Sequence, residues 1–287
     1  MRQNILSLGL LLVLTGCFDN ASNNLKEVYK SSDSLSIPES VVYDKAQNAI
    51  YASNVNSIKS SNPWVDNGGF ISKLDSNGKM VKLKWSIGLQ SPKGIAIYKN
   101  HLWVSDLNQV VKIDTATGKI VAKYLAPEGI KMLNDITCSE KKDACFVSDS
   151  GTKQVFELSK DGKFTLLYDK EKSLKPEQNG LLVVGDELIM QGEVGKLKSL
   201  NLNTKKVTVI SDSVGVAIDG ITKYKDRGYL VSTWSGGVYF VNNKGETKKL
   251  LGDGFNTADI FYSNDLDLLL VPDFAHHIVA YKINERL

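Results

Sequence analysis

At 287 residues the chain has room for one or two domains, and 42% hydrophobic residues are ample for a core. A net charge of +3, with no Lys/Arg run longer than three, excludes the electrostatic footprint of a nucleic-acid binder. The bases that do cluster, Lys196 with Lys198 and Lys248 with Lys249, alternate along presumed strands or sit at turns and read as a solvated face.

Met1-Arg2-Gln3-Asn4 is a short basic start, and Ile5 to Leu14 is apolar except for Ser7 and Gly9. A stretch this short does not span a bilayer, so residues 1–16 read as a signal peptide. It ends in Leu14-Thr15-Gly16-Cys17, which resembles the bacterial lipobox; the alternative is an ordinary secretory signal with an incidental Cys. The resemblance implies cleavage before Cys17 and a diacylglycerol on its thiol, hence a membrane contact through the N-terminal lipid. Phe18 after the Cys resembles outer-membrane sorting, which points to the periplasmic face of the outer membrane of a bacterial envelope. Residues 18 to about 34 are rich in Asn, Ser, Asp and Lys and read mostly as a tether.

From residue 35 the chain is expected to form one domain of short strands. Glu39 to Trp85 holds four of them with one long connection. The clearest unit follows. Gly94–Tyr98 turns at Lys99-Asn100 into His101–Val104, then come Val110–Asp114 and Lys119–Tyr124. The pattern returns in Asp135 to Tyr168, Gly180 to Ile210 and Gly220 to Leu251. The last unit offers only Ile260–Tyr262, Leu268–Val271 and Ile278–Ile283, and Leu25–Tyr29 is the candidate for its missing strand. No stretch sustains a 3.6-residue apolar period, so helices are minor.

These units are copies. The turn residues Gly78, Gly118, Gly162, Thr204 and Gly245 are separated by 40, 44, 42 and 41 residues. Four-stranded units at this period are the blades of a β-propeller. The expected fold is therefore all-β, six-bladed, with four antiparallel strands per blade and the last blade closed by an N-terminal strand. Units open in phase on Lys93-Gly94, Asn134-Asp135, Asn179-Gly180, Asp219-Gly220 and Thr257-Ala258-Asp259. Equivalent points of a ring face one axis, which is how a metal site is assembled from residues distant in sequence. The competing reading is that Asn and Asp before Gly are turn formers.

Cys138 and Cys145 flank a polar turn between Ile136-Thr137 and Phe146-Val147. Cross-strand partners on a hairpin lie within disulfide reach, and an exported compartment permits the bond. A disulfide is the favoured expectation, with free thiols as the alternative. No Cys-x-x-Cys or nearby His supports zinc.

Residues 36 to 287 resemble the gluconolactonase/regucalcin-like six-bladed propellers. The residues that carry the resemblance are Pro38-Glu39-Ser40 opening the first blade, Asn134-Asp135 the third, Asn179-Gly180-Leu181 the fourth and Asp219-Gly220-Ile221 the fifth. It implies a divalent metal held by Glu39, Asn134, Asn179 and Asp219, with Asp219 as catalytic base and Asn134 and Asp135 beside the substrate. Two carboxylates and neutral amide oxygens suit Ca²⁺ best, then Mg²⁺ or Mn²⁺. The implied reaction is hydrolysis of a small lactone or ester, in which the metal polarises the carbonyl. The family's Gly-Pro after the Glu is absent. Met132 stands where gluconolactonases commonly have Arg, and loss of that bidentate donor argues for a substrate less polar than a sugar lactone.

Loops on the same face are expected to contribute as well. Asn54 to Gly68, with Pro63, Trp64 and Asp66, is either a side wall or a surface insertion. Trp64 and Trp234 are expected substrate contacts, while Glu193, His276 and His277 sit in equivalent loops, with His treated as a hydrogen-bonding residue and not a ligand. Gly-x-Ser-x-Gly, His-Glu-x-x-His, Walker and dinucleotide motifs are all absent, so nucleotide binding has no support. The alternative to the hydrolase is a non-catalytic binding or scaffolding propeller at the envelope.

Overall fold

A computed structural model of the chain describes residues 24–56, 68–130, 132–169, 178–252 and 256–284. Branched and aromatic residues fill short strands because they suit a pleated, half-buried surface, and Gly, Asn and Asp turns cut those strands apart. The first strand is β1 (Leu25–Lys30). Blade 1 then holds β2 (Pro38–Asp44), β3 (Ala49–Asn54), β4 (Phe70–Asp75) and β5 (Met80–Ser86). Blade 2 holds β6 (Pro92–Tyr98), β7 (His101–Asp106), β8 (Gln109–Asp114) and β9 (Ile120–Leu125). Blade 3 holds β10 (Leu133–Ser139), β11 (Ala144–Asp149), β12 (Gln154–Ser159) and β13 (Phe164–Asp169). Blade 4 holds β14 (Leu181–Val184), β15 (Glu187–Gln191), β16 (Leu197–Asn201) and β17 (Val207–Ser211). Blade 5 holds β18 (Ile218–Tyr224), β19 (Gly228–Thr233), β20 (Val238–Asn242) and β21 (Thr247–Leu251). Blade 6 holds β22 (Phe261–Ser263), β23 (Leu268–Pro272) and β24 (Ile278–Ile283).

Each of the first five blades is an antiparallel sheet in chain order, whereas the sixth has the order β1-β24-β23-β22. The N-terminal strand pairs Leu25 with Ile283 and Lys30 with Val279, so it supplies the outer strand that the last unit lacks and covers its open edge. The chain is a six-bladed β-propeller. In the turns between the last two strands Gly78, Gly118, Gly162 and Gly245 have positive φ, and Lys205 takes that place in blade 4. The period seen in the sequence is therefore a period of left-handed turn residues.

The core lies between blades. One cluster joins Val42 and Tyr51 of blade 1 to Ile95, Leu102 and Val104 of blade 2. Another joins Tyr224, Leu230 and Phe240 of blade 5 to Tyr262, Leu269 and Tyr281 of blade 6. The remaining interfaces carry equivalent clusters. Burial of this apolar area, at roughly 25 cal/mol per Å², holds neighbouring blades face to face and lines the axis with the inner strands.

On blade 3, Cys138 lies directly opposite Cys145 in the β10–β11 register, and the two sulfurs are bonded.

Candidate functional site

The site grows out of a repeated defect in the inner strands. In blades 1, 2, 3 and 5 the register slips between Pro38 and Val41, Pro92 and Ile95, Leu133 and Ile136, and Ile218 and Ile221. Two residues there face one on the next strand, which is a β-bulge, and a bulge re-aims side chains. The bulged pairs are Glu39-Ser40, Lys93-Gly94, Asn134-Asp135 and Asp219-Gly220. They are the same dipeptides that open the units in sequence.

A serine clamps each bulge. The N–H groups of Ser40, Asp135 and Gly220 donate to the hydroxyls of Ser53, Ser148 and Ser232, each at 2.9 Å. Ser232 also donates to the Ala258 carbonyl of blade 6 at 2.7 Å, and Ser105 of blade 2 donates to the Asn134 carbonyl of blade 3. These hydroxyls satisfy backbone groups that the bulge removes from the ladder, and they tie consecutive blades together at the axis. The glycines serve the same close fit. A Cβ on Gly94 would stand 2.7 Å from Asp135 Oδ1, and one on Gly220 would collide with Asp259 Oδ1 and the Ile260 nitrogen. Glycine follows Lys93 and Asp219 because the next blade's carboxylate occupies that space, a demand beyond turn formation.

The structure places the expected ligands as follows. Glu39, Asn134, Asn179 and Asp219 are all buried. Asn179 donates its amide N–H to Asp219 Oδ1 at 2.6 Å, and the Trp234 ring N–H donates to the same carboxylate. Glu39 lies within electrostatic reach of Asp219. Asn134 instead donates to the Ser150 hydroxyl at 2.9 Å, and that hydroxyl donates to the Gln178 carbonyl at 2.7 Å. Glu39 Oε2 and Asp219 Oδ2 are buried and have no hydrogen-bond partner among the described residues.

Asp135 is turned away from Asn134. Its carboxylate accepts the N–H groups of Ile136 and Leu181, both at 2.6 Å, so it joins blade 3 to blade 4. Further along the inner strands Asp135 and Asp259 line a cavity of about 300 Å³ whose walls include Val41, Ile95, Ile136, Leu181 and Ile221.

Two ring residues carry roles that the sequence reading did not assign, although both stand in phase with the repeat. Asp259 of blade 6 accepts the Ser40 hydroxyl at 2.5 Å, and its N–H donates to the Glu39 carbonyl at 2.9 Å. Lys93 of blade 2 is fully buried, with Nζ 3.2 Å from the Ser91 carbonyl. It interacts electrostatically with Glu39 and Asp106.

Four buried carboxyls, with Lys93 beside Glu39, make a strained electrostatic set. Burial lifts Glu39 well above the carboxylate range, Asp219 raises it further, and Lys93 offsets part of the rise. Burial pushes Asp135 up to about 8 against the hydrogen bonds from Leu181 and Ile136, with Asp219 adding to the rise. Burial lifts Asp219 to about 7, and the donors Asn179 and Trp234 restrain it. Asp259 is raised well above its ordinary value by burial and then by the charge of Asp135. Lys93 is lowered by the same loss of water, against the pull of Glu39 and Asp106. A concentration of buried acid groups with perturbed titration marks functional sites, because it stores a demand for positive charge.

The donor set has the chemistry for a hard cation: two carboxylates, each with an unpartnered oxygen, and two carboxamides. Among the described residues no group of three or more His, Cys, Asp or Glu side chains could hold a metal ion, so any fit rests on the mixed carboxylate–amide set.

Of the other expected residues, Trp234 stands over Asp219 with half its surface exposed. Cys17 and Trp64 lie outside the described residues. Glu193 is engaged by Lys198 at 2.6 Å on the surface. His276 bonds the Leu35 carbonyl at 3.0 Å and His277 bonds Asp273 at 2.6 Å, both in hydrogen-bonding roles. Met132 is fixed through its backbone: its N–H donates to Asp149 at 2.6 Å and its carbonyl accepts from Ser150 at 3.0 Å.

No family model and no curated protein matches the chain. Among solved structures it is similar to a streptogramin B lyase at 14% identity, TM-score 0.60, over 92% of this chain and 99% of that one. A catalytically inactive virginiamycin B lyase from Staphylococcus aureus with quinupristin is similar at 13% identity, TM-score 0.61, over 91% and 99%. The nidogen/laminin complex is similar at 13% identity, TM-score 0.59, over 76% and 81%. Two of these neighbours are lyases and the third is a complex of two proteins, so these likenesses establish the propeller fold and leave its activity to the site itself.

Proposed function

We propose that this chain is an envelope-anchored hydrolase of lactones or esters that works with a divalent cation, Ca²⁺ before Mg²⁺ or Mn²⁺, at the axial end of the inner strands. The observation that carries the reading is the pair of unpartnered, buried oxygens, Glu39 Oε2 and Asp219 Oδ2, set in a ring of raised carboxyls. Glu39, Asn179 and Asp219 would hold the ion, with Asn134 beside them. When bound, the ion would supply Lewis-acid polarisation of the carbonyl.

The chain's own residues supply the rest. Asp219, lifted to about 7 in the metal-free chain and kept ionised by a bound cation, would accept a proton from the attacking water. Asn179 and Trp234 hold its carboxylate in place, and Trp234 screens it from one side. The lipobox-like Leu14-Thr15-Gly16-Cys17 supports anchoring at the envelope. The direct test is hydrolysis of a lactone panel with added Ca²⁺ by wild type and Asp219→Ala. Equal rates in the two would end the hydrolase reading.

A second reading is a propeller that binds without turnover. Lys93 favours it, because a fully buried ammonium near Glu39 already provides positive charge in the ring. Absence of turnover together with a protein partner that co-purifies in stoichiometric amount would select this reading.

A further inference from the structure

Three loops on the ligand-bearing face display apolar side chains that the fold does not bury. Val194 is 55% exposed, Val216 53% and Trp234 50%. The loops are stitched to one another through backbone bonds. Val214 N–H donates to the Gly195 carbonyl at 2.9 Å, and Trp234 N–H donates to the Ala217 carbonyl at 3.0 Å. Beside the indole stands Phe274, with ring centroids 5.5 Å apart and planes tilted by 54°.

Phe274 is held there at a backbone cost. Its φ of 56° lies in the left-handed region, which a bulky residue adopts only when its surroundings impose it. The imposing group is Asp273, whose Oδ1 accepts the N–H groups of Ala275, His276 and His277 at 2.9, 2.8 and 2.9 Å. The tight loop that results carries the Phe274 ring to Trp234 instead of into the core. The indole N–H reaches Asp219, so the aromatic pair is continuous with the ring of ligand residues.

We propose that Trp234 and Phe274 form an aromatic wall of the site, and that the molecule accepted there carries an apolar substituent, an alkyl chain or aryl ring, beside its carbonyl. This rests on the hydrolase reading for the carbonyl, while the wall itself stands on the half-exposed indole and the Phe274 ring packed beside it. A flat, half-exposed indole beside a phenyl ring, with exposed Val216 in the loop that its backbone bonds, gains by covering hydrocarbon. A polyol would leave those surfaces wet and its own hydroxyls unmatched. Met132, leading into blade 3, adds no charged donor to the ring, in keeping with an apolar guest.

The test compares γ-butyrolactone with γ-undecalactone, which differ only in an alkyl chain, on wild type, Phe274→Ala and Val216→Asp. The ratio of kcat/KM for the long lactone over the short one should fall about tenfold in both variants. Val216→Asp changes an exposed side chain and so keeps the test open if Phe274→Ala is poorly folded. Calorimetric binding of γ-undecalactone is measured in parallel. Should wild type bind the long lactone without hydrolysing it, and Phe274→Ala lose that binding, the wall is upheld and the hydrolase reading falls. An unchanged ratio, or binding of γ-undecalactone that is the same in wild type and both variants, overturns the wall.

Discussion

Asn179 of blade 4 donates its amide N–H to Asp219 Oδ1 of blade 5 at 2.6 Å, and this bond fixes the carboxylate on which the proposed chemistry depends. It leaves Oδ2 as the unpartnered oxygen. Asp219→Asn should lower lactone hydrolysis by about 10²–10⁴-fold, the usual contribution of a positioned acid–base group. Asn179→Ala should lower the rate less and raise the Ca²⁺ concentration needed for half-maximal rate, because it removes both a proposed ligand and the donor that holds the Asp219 carboxylate. Steady-state rates of the three proteins measured against Ca²⁺ concentration check both expectations.

The ring should also make the metal-free protein sensitive to pH. Asp135 is lifted from 3.8 to about 8 and Asp219 from 3.8 to about 7. Between each pair of values the folded chain holds a proton that the unfolded chain has released, so stability falls as pH rises. Thermal unfolding in chelator should therefore give a Tm that drops from pH 5 to pH 8. Added Ca²⁺ should flatten or reverse that slope, since a bound cation favours the ionised carboxylates.

Ser232 satisfies the Gly220 N–H and the Ala258 carbonyl at once, at 2.9 and 2.7 Å. Ser232→Ala strands both groups in a buried setting, and about 2–3 kcal/mol of stability should be lost. Ser34→Ala, on the exposed lead-in to blade 1, should change little. Urea denaturation of the two variants separates the cases.

Cys138 and Cys145 are bonded across β10 and β11, closing a loop with a sequence separation of 7. On the chain-entropy account the double variant Cys138→Ser/Cys145→Ser should lose about 2–3 kcal/mol. The same loss should follow reduction of the wild type, read from denaturant midpoints with and without reductant.

How far the molecule could be read from sequence depends on whether a feature is local. Gly78, Gly118, Gly162 and Gly245 announce their turns because a left-handed residue is a demand of the immediate backbone. The three strands of the last unit announced that β1 must close it, since an open edge is unstable. Asn179 and Asp219 were legible through their phase. Lys93 was less so, because lysine before glycine normally means solvent, and only the bulge between Pro92 and Ile95 turns it inward. The serine clamps were hidden for a similar reason: Ser53, Ser148 and Ser232 look like ordinary strand residues until the cross-strand register is known. Phe274 was invisible because its direction is set by Asp273 gathering three N–H groups, a matter of loop geometry that no spacing reveals.

The central claim is that the buried oxygens of Glu39 and Asp219 exist to hold a divalent cation. Isothermal titration of Ca²⁺ into the chelator-treated protein, repeated on Glu39→Gln and Asp219→Asn, tests it most directly. The account predicts one ion per chain in wild type and at least a hundredfold weaker binding in each variant, the order expected when one charged ligand of a hard-cation site is removed. Wild type that binds no ion, or variants that bind as tightly as wild type, would contradict it.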